Sequence, residues 1–349
     1  MKRISNIIIV STFVLLLGCG GCGGNHTVSK IAGTSHAPAL QSNSRKQNFC
    51  VMFYNVENLF DIYDDPDKND DEFLPNGANR WTAQRYYNHL RNTAQVITAA
   101  GEWDTPALCG LCEVENDTVL THLISRTPLR AQNYNYCITT GSDRRGINNA
   151  LMYQRDKFRY LSHASRRIPF GNKAKLSRDI LHVEGEIITG ERLHVFVCHF
   201  PSRSGGEKES EPDRIDAATF LRHICDSLLN ADPAANIVAM GDFNDSPNDK
   251  SIKILTQDDL LVNLFGNPNK LNYYGSHKFQ GEWSQIDQMF VSRHFYSYLK
   301  KDGQRIFAAE FLLTPKNSRG EQSPARNYQG PIYKNGYSDH LPILADFEM

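Results

Sequence analysis

The sequence has no excess of charge, no internal repeat and few of the short motifs that mark common enzyme scaffolds. Its 349 residues include 38 lysines and arginines against 39 aspartates and glutamates, a formal net charge of −1. A near-neutral chain is not expected to coat polyanions with its whole surface, although a local basic face is still open to it. The P-loop, HExxH and GxSxG motifs are missing, which leaves P-loop NTPases, HExxH zinc proteases and α/β-hydrolases without support.

The cysteines do not indicate a metal site in the body of the chain. Cys109 and Cys112 have CxxC spacing, but they lie in the strand-like run 107–112. Residues i and i+3 of a strand point to opposite faces, so these two thiols cannot share a metal ion. The cysteines of the apolar segments are therefore predicted to be buried structural thiols: Cys50, Cys109, Cys112, Cys137, Cys198 and Cys225.

The N-terminus carries an apolar run at residues 7–17, which follows Lys2 and Arg3. The run has the length of a secretory signal, whereas a membrane-spanning helix needs about 20 such residues. It ends in Leu16-Leu17-Gly18-Cys19, which resembles the lipobox of bacterial lipoproteins. The alternative interpretation is a plain secretory signal with an incidental cysteine.

The lipobox interpretation predicts three segments. Residues 1–19 form a signal peptide whose Cys19 becomes lipidated, and residues 20–47, rich in Gly, Ser, Asn and His, form a flexible tether. Residues 48–349 form one catalytic domain. The protein is then expected in the cell envelope, periplasmic or surface-exposed, and in contact with the membrane only through its lipid anchor.

Short apolar strands separated by polar loops and two clear helices make up the predicted domain. Thr82 can cap a helix that ends near residue 100, and apolar residues at helical spacing predict a second helix over 213–229. Mixed strands and helices of this kind indicate an α/β fold of stacked sheets flanked by helices. The predicted strands are 49–54, 107–112, 149–153, 180–189, 193–200, 237–240, 286–291 and 341–347.

Several of these strands end in, or follow, a polar residue that is able to bind a metal ion or a phosphate. Asn55, Glu113, His199 and Asp242 stand at the ends of four strands, and Asp339-His340 precedes the last strand. One Asp or Asn after a strand is usually a turn residue. A set of carboxylates, an amide and two histidines has the groups that phosphoryl chemistry on a hard metal ion requires. If the strand ends share one rim, that rim is a catalytic cleft.

The motifs in which these residues occur resemble, in order and spacing, those of the endonuclease/exonuclease/phosphatase superfamily, and in particular its deoxyribonuclease-like members. The resemblance covers nearly all of residues 48–349 and implies a four-layer α/β sandwich of two packed mixed β-sheets flanked by helices, with the site at one edge. The motifs are Asn55-Val56-Glu57-Asn58, Gly110-Leu111-Cys112-Glu113-Val114-Glu115-Asn116, His199-Phe200-Pro201-Ser202-Arg203, Gly241-Asp242-Phe243-Asn244-Asp245, Ile286-Asp287-Gln288 and Ser338-Asp339-His340-Leu341-Pro342.

The metal ligands are oxygen donors in this interpretation. Mg²⁺ prefers oxygen ligands and keeps several waters, so one or two carboxylates and a substrate oxygen suffice to hold it. Glu113 is the first candidate from the chemistry, and the resemblance adds Asp339, Asn55 and Glu57. We therefore expect a site for Mg²⁺ or Mn²⁺.

The resemblance also implies the remaining roles. Asp242 is expected to orient or deprotonate the attacking water, and Asn244 to bind a phosphate oxygen. His199 and His340 are expected to flank the phosphate as donors, with Asp287 fixing the tautomer of His340. Two positions complete the comparison. Arg178 resembles a phosphate-contacting arginine of the pancreatic-type deoxyribonucleases, and Asn148 stands where many relatives carry an acidic residue near the expected partner of His199.

The identity of the ester remains open between three hypotheses. The first is an exported nuclease that acts on DNA or RNA, and the second is a phosphatase or phospholipase-C-like esterase for sugar, inositol or lipid phosphates. The third is a non-catalytic surface lipoprotein that binds a polyanion or partner. The complete set of site residues disfavours the third. No aromatic hairpin for membrane insertion is recognisable, which disfavours a sphingomyelinase.

The distribution of charge favours the first hypothesis. Ten basic residues lie between Arg144 and Arg178, against one acid, Asp156. We call residues 144–178 the basic segment. Clustered cations of this kind are typical of a nucleic-acid interface, although they also occur on ordinary solvated faces. The sequence thus predicts a monomeric, metal-dependent nuclease as the first choice.

Overall fold

Two six-stranded sheets lie face to face in the computed structural model, which describes residues 47–102 and 104–349. The first, sheet A, consists of β1 (Asn48–Leu59), β2 (Leu108–Val114), β3 (Tyr134–Ile138), β4 (Asn148–Gln154), β13 (Leu299–Ile306) and β16 (Ile343–Glu348). The second, sheet B, consists of β5 (Phe158–Arg166), β6 (Ile180–Ile187), β7 (Arg192–His199), β8 (Asn236–Asp242), β9 (Leu261–Asn263) and β12 (Asp287–Ser292). Two hairpins lie outside the sheets, β10 (His277–Phe279) with β11 (Glu282–Ser284), and β14 (Tyr328–Gln329) with β15 (Ile332–Tyr333).

Each sheet has a parallel pair of strands at or near its centre. The strand order is β13-β16-β1-β2-β4-β3 in sheet A and β5-β6-β7-β8-β12-β9 in sheet B. Strands β1 and β2 are parallel, as are β7 and β8, and all other neighbours are antiparallel. Parallel neighbours end at the same edge, so each sheet offers two adjacent carboxyl ends for a site.

The two sheets pack closely because their facing side chains are apolar and because Gly110 leaves room for the side chain of Met240. Met52, Val195 and Met240 are fully buried in the same core cluster. A Cβ atom on Gly110 of β2 would come within 2.8 Å of the Met240 side chain of β8. A side chain at Gly110 would therefore force Met240 out of its position between the sheets.

Helices cover the outer face of each sheet. Helices α1 (Ala83–Ala100) and α2 (Asp117–Ser125) contribute to the core of sheet A. Helices α3 (Glu207–Ala231) and α4 (Lys250–Thr256) pack with the outward side chains of sheet B in a separate cluster. Helix α5 (Arg293–Tyr296) follows β12, and five short 3₁₀ turns complete the elements, at Asp71–Phe73, Pro128–Ala131, Gln257–Asp259, Pro268–Lys270 and Glu310–Leu312. The order helix, sheet, sheet, helix confirms the predicted four-layer α/β sandwich.

The first helix begins where the sequence predicts, and the longer one begins earlier. The Thr82 side chain accepts a hydrogen bond from the Arg85 amide and caps α1. The predicted start of the second helix at residue 213 is wrong, since α3 starts at Glu207 and contains Pro212. Pro212 is the sixth residue of α3 and so removes one hydrogen bond of the helix, that to the Lys208 carbonyl. The buried Arg214 holds the first turn, donating to the Glu207 carbonyl.

All eight predicted strands overlap strands of the structure, whereas β3, β5, β9, β13 and the two hairpins were not predicted. The prediction of buried structural thiols is confirmed, because all six cysteines of the described chain are free and buried. No helix of the described residues is long and apolar enough to cross a membrane. The predicted signal peptide and most of the predicted tether lie outside the described residues.

Candidate active site

The strand ends of the two sheets meet at one end of the sandwich. His199 of β7 is aligned with Asp242 of β8, which in turn is opposite Asp287 of β12. Asn55 of sheet A reaches across to sheet B, where its side-chain amide donates to Asp242 at 3.2 Å. The carboxyl ends of the parallel pairs thus converge with the amino ends of their antiparallel neighbours. This places side chains from both sheets in a single cleft.

Asp242 is at the centre of this cleft. Its Oδ2 atom lies 3.6 Å from Nε2 of His199 and 3.7 Å from Nε2 of His340, and its Oδ1 atom accepts a hydrogen bond from the Asn244 amide at 2.9 Å. Burial raises the pKa of Asp242 to about 7, against the opposing attraction of His340. A carboxylate between two imidazoles at this pKa is suited to exchanging a proton with a small molecule bound beside it.

His340 is oriented and charged by a carboxylate behind it. Its Nδ1 atom lies 2.8 Å from Oδ2 of Asp287, and its amide donates to Ser338 Oγ. Burial by itself would lower the pKa of His340, but the charges of Asp287 and Asp242 outweigh it and hold that pKa well above the usual range. The ring therefore presents a protonated Nε2 to the cleft, which is the state of a donor to phosphate oxygens.

His199 lies in a different electrostatic environment. Burial, followed by the positive charge of Arg178, lowers its pKa well below the usual range. Its Nδ1 atom is buried and has no hydrogen-bond partner among the residues that the structure describes. Asn148 does not supply one, because its side-chain oxygen accepts from the Gly141 amide and its nitrogen donates to the Glu115 carbonyl. In the cleft, His199 is thus neutral and His340 is protonated.

The expected metal ligand Glu113 lies at the rim with a free oxygen. Its Oε2 atom accepts from the Asn58 amide at 3.0 Å, and its Oε1 atom lies 4.0 Å from Nε2 of His199 and 3.8 Å from Arg145. Carboxylate and amide oxygens such as those of Glu113 and Asn55 are the hard donors that Mg²⁺ and Mn²⁺ prefer. The donor set therefore fits such an ion.

Glu57 and Asp339, the other two expected ligands, share a cation that the sequence did not single out. Arg326 donates to Glu57 Oε1 at 2.7 Å and lies 3.0 Å from Asp339 Oδ2, while the Asn327 amide donates to Glu57 Oε2. Both oxygens of Glu57 are therefore occupied. Asp339 is more open, so of the two it is the one better placed to reach a metal ion.

Arg178 and Asn244 converge on one backbone oxygen next to His199. The Arg178 guanidinium donates to the Phe200 carbonyl at 2.6 Å, and the Asn244 side-chain amide donates to the same oxygen at 3.1 Å. Arg178 also lies 3.5 Å from Asp143 and is buried. Both residues thus hold the segment that carries His199, in addition to any contact with phosphate.

The backbone is strained at three of these positions. Glu57 has a φ of 52°, Glu113 a φ of 63° and Asn244 a φ of 52°. Such left-handed conformations cost non-glycine residues on the order of 1–3 kcal/mol and cluster at functional sites. Glu57 lies in β1, Glu113 lies in β2 and Asn244 comes two residues after β8, so the sheets hold all three.

An aromatic hairpin adjoins the cleft, and its predicted absence is wrong. His277 of β10 forms a backbone bridge with His340, and the centres of their rings are 4.7 Å apart. Phe279 on the same strand is 65% exposed, and the neighbouring Tyr274 is 78% exposed. No motif marks this segment in the sequence, because its importance arises only from its pairing with a residue far along the chain.

Comparison with known proteins agrees with this geometry. The profile of the Endonuclease/Exonuclease/phosphatase family matches residues 50–349, and the chain therefore belongs to that family. Comparison with curated protein sequences gives no significant match.

The fold is also that of solved structures with little sequence identity. An endonuclease/exonuclease/phosphatase family protein from Bacteroides thetaiotaomicron is similar, with a TM-score of 0.58, 16% identity, and coverage of 87% of this chain and 96% of that one. A mannosyl-6-phosphatase from the same species has a TM-score of 0.57 and 18% identity over 85% and 98% of the two chains. D. rerio TDP2 complexed with a single-strand DNA product has a TM-score of 0.55 and 15% identity over 86% and 99%. Identities this low establish a shared fold and no more.

Proposed function

We propose that the chain is a divalent-metal-dependent phosphoesterase whose reaction takes place at Asp242. The observation that carries this proposal is the position of Asp242 between two histidines, one of which is paired with Asp287 at 2.8 Å. Hydrolysis of a phosphate ester requires a group that takes a proton from water and groups that stabilise negative oxygens. Family membership supports the same class of reaction.

The residues divide this work between them. Asp242 holds the attacking water and takes its proton, at a pKa of about 7 that permits both states near neutral pH. His340 donates from Nε2 to a phosphoryl oxygen, because the charges of Asp287 and Asp242 keep the ring protonated on both nitrogens. Glu113, with Asp339 and Asn55, would hold Mg²⁺ or Mn²⁺, and the ion supplies neutralisation of the phosphoryl and leaving-group oxygens.

The finer proposal is a nuclease that hydrolyses phosphodiester bonds of DNA or RNA. Arg145, at the start of the basic segment, lies 3.8 Å from Glu113 and so reaches the rim of the cleft. The exposed Phe279 offers a flat face for an unstacked base next to the same cleft. The similar fold of a TDP2 complexed with a single-strand DNA product is consistent with such a substrate.

A phosphatase or related esterase for small phosphate esters is the second candidate, because most of the basic segment is neutralised. Six of its ten cations lie within ion-pair distance of a carboxylate, which leaves less charge for a long polyanion than the sequence indicates. These residues are Arg145, Lys157, Arg159, Arg167, Lys175 and Arg178. The similar mannosyl-6-phosphatase shows that this fold accommodates a small substrate.

A substrate panel separates the two candidates. Plasmid DNA, RNA, mannose 6-phosphate, an inositol phosphate and sphingomyelin are incubated with the protein, with and without Mg²⁺. The nuclease proposal expects metal-dependent cleavage of a nucleic acid. Efficient hydrolysis of a small ester with no cleavage of DNA or RNA would replace it with the second candidate, and no hydrolysis of any ester would contradict both.

The role of the basic segment is tested by neutralising the two arginines at its start, where it reaches the rim of the cleft. The variant Arg144→Gln/Arg145→Gln should weaken binding of DNA or RNA while hydrolysis of a small phosphodiester changes much less. Each lost phosphate contact should flatten the salt dependence of duplex binding by a slope of about 0.9, owing to reduced counterion release. Arg159→Gln, whose side chain pairs with Glu186 on sheet B, is the matched control and should bind as the wild type does.

We also propose that the protein is a monomeric lipoprotein of the cell envelope, attached through Cys19. The support is the apolar run of residues 7–17, which follows Lys2 and Arg3 and ends in the lipobox-like sequence Leu16-Leu17-Gly18-Cys19. A lipid anchor would place the cleft outside the cytoplasm, where a hydrolase encounters external nucleic acids or phosphate esters.

A further inference from the structure

A second cavity lies beside the cleft and has no role in the chemistry at Asp242. It has a volume of about 420 Å³ and is formed by residues 167–179, which connect β5 to β6, together with Ser142. Gly171, in this connection, donates its amide to Asp216 of α3, so the loop is fixed to the body of the protein. We call this cavity the loop pocket.

The loop pocket has a cationic wall and an apolar wall. Its cations are Arg167, Lys173, Lys175 and Arg178, and Asp179 is the one carboxylate among the residues that line it. Its apolar side consists of Ile168, Pro169, Phe170 and Leu176. Asp213 and Asp143 lie within ion-pair distance of Lys175 and Arg178, so four cations face three carboxylates and one positive charge remains in excess. This charge attracts an anion, and the apolar side suits the carbon skeleton to which that anion is attached.

The charges of this wall are not all used within the protein. Arg167 lies 3.6 Å from Asp179, and Lys175 lies 2.7 Å from Asp213. Lys173 forms no ion pair with any residue that the structure describes, and its side chain is exposed at the pocket. A free ammonium group beside two partly neutralised cations is the arrangement expected of an anion subsite.

Two buried polar atoms give an independent indication of a ligand. Ser177 and Arg178 are 4% and 7% exposed and both line the pocket. The Ser177 hydroxyl and the Arg178 Nε atom have no hydrogen-bond partner among the described residues. A buried polar group without a partner costs about 1–3 kcal/mol. Almost no surface of either atom is accessible to solvent, so an anion in the pocket would accept from them only after a small movement of these side chains.

The pocket adjoins the catalytic cleft through Arg178. The guanidinium that lines the pocket also donates to the Phe200 carbonyl at 2.6 Å, and Phe200 directly follows His199. Phe200 is itself fully buried, so a substrate whose reacting phosphate lies between the two histidines would reach the loop pocket over the surface, on the side of Ser142.

We propose that the loop pocket binds a second phosphate group of the substrate, one that is not hydrolysed. This proposal rests on the phosphoesterase activity proposed above. In a nucleic acid the second group is a neighbouring phosphate, and in a small substrate it makes the molecule a bisphosphate. Lys173 contacts the phosphate beside Arg167 and Lys175, and the apolar wall contacts the sugar or ring that carries it.

The test uses two chromogenic diesters that differ only in the second phosphate: thymidine 5′-(p-nitrophenyl phosphate) and the same compound with a 3′-phosphate. The wild type with Mg²⁺ should have a lower KM for the 3′-phosphorylated compound. Lys173→Gln should raise that KM by about tenfold, while kcat for either substrate and KM for the unphosphorylated one stay unchanged. Lys301→Gln, an exposed lysine on β13, is the matched control and should change neither KM.

The outcomes are distinguishable. An equal rise of both KM values, or no rise of either, in Lys173→Gln would overturn the loop pocket as a phosphate subsite. If the wild type hydrolyses neither compound, the subsite is tested by measuring the affinity of the wild type and of Lys173→Gln for thymidine 3′,5′-bisphosphate by calorimetry. Tighter binding by the wild type than by Lys173→Gln would support the subsite while the proposed nuclease activity fails. Equal binding would overturn the subsite as well.

Discussion

Nδ1 of His340 lies 2.8 Å from Oδ2 of Asp287, while the opposite nitrogen of the same ring faces Asp242 at 3.7 Å. Asp287 thus orients the ring, and its charge, in addition to burial, raises the pKa of Asp242. Since its charge raises the pKa of His340, Asp287→Asn should lower that pKa and shorten the pH range in which the ring is protonated. The high-pH limb of the kcat profile should move to lower pH. An unmoved limb would exclude this positioning role.

The histidines themselves are expected to act on the phosphate. His340→Ala and His199→Ala should each lower kcat by about 10² or more, and Asp287→Asn should resemble a milder His340→Ala. Melting temperatures should change little, because both rings lie at a strand end and not in the sheet core. A large loss of melting temperature with near-normal specific activity would indicate structural histidines instead.

The metal assignment is tested at Glu113. Glu113→Gln keeps the hydrogen bond from the Asn58 amide but removes the charge that would bind Mg²⁺. Activity should fall by about a hundredfold or more, and the metal concentration for half-maximal activity should rise. Asp104→Asn, which affects an exposed carboxylate paired with Lys157, is the control. Full activity of the wild type in excess chelator would contradict the assignment.

Stability should decrease on acidification because of a buried histidine pair on the outer face of sheet B. Nε2 of His182 lies 3.2 Å from Nδ1 of His194, and burial, followed by the charges of His194 and Arg166, lowers the pKa of His182 to about 3. The folded protein therefore keeps His182 neutral, while the unfolded chain takes up a proton below about pH 6.5. The free energy of unfolding is therefore highest above pH 6.5 and decreases as the pH falls towards 3.

The measurement is the urea midpoint at pH 7 and pH 5. It should fall at pH 5 in the wild type and fall less in His182→Phe, whose ring would still stack on Phe196. The control is His223→Gln, an exposed residue of α3. A pH dependence in His182→Phe equal to that of the wild type would show that the pair does not contribute.

The membrane anchor is expected at Cys19. Cys19→Ala should abolish labelling of the protein with a fatty-acid analogue and release it from the membrane fraction, because the thiol is the acceptor of the lipid. Cys22→Ala, three residues further on, is a matched control and should do neither. Loss of labelling in both variants, or in neither, would mean that the lipobox was misread.

Much of the site could be predicted because its residues end strands. Asn55, Glu113, His199 and Asp242 follow apolar runs that are recognisable in the sequence, and the parallel pairs bring those ends together. Stacked sheets flanked by helices could be predicted because each apolar run has a period that defines a strand or a helix, and the four-layer order followed from the family resemblance. Periodicity is a property of neighbouring residues and is therefore visible in the chain.

The residues that were missed depend on distant contacts. Arg326 lies in a segment without regular periodicity, and it matters only because it reaches Glu57 and Asp339. His277 lies in a three-residue strand, which is too short for a pattern to define. The basic segment was overestimated for the same reason, because its carboxylate partners, such as Asp104 and Asp213, stand elsewhere in the sequence.

The pairing of β1 with β16 has a consequence for how the chain is made. Asn48 at the start of β1 is opposite Glu348 at the end of β16, and these two strands are neighbours in the interior of sheet A. A ribosome adds about 5–20 residues per second. One edge of β1 therefore has no partner until β16 has been synthesised. Sheet A closes only after that point. A nascent chain that is still open in this way can be threaded through a secretion channel, as the export proposed above would require.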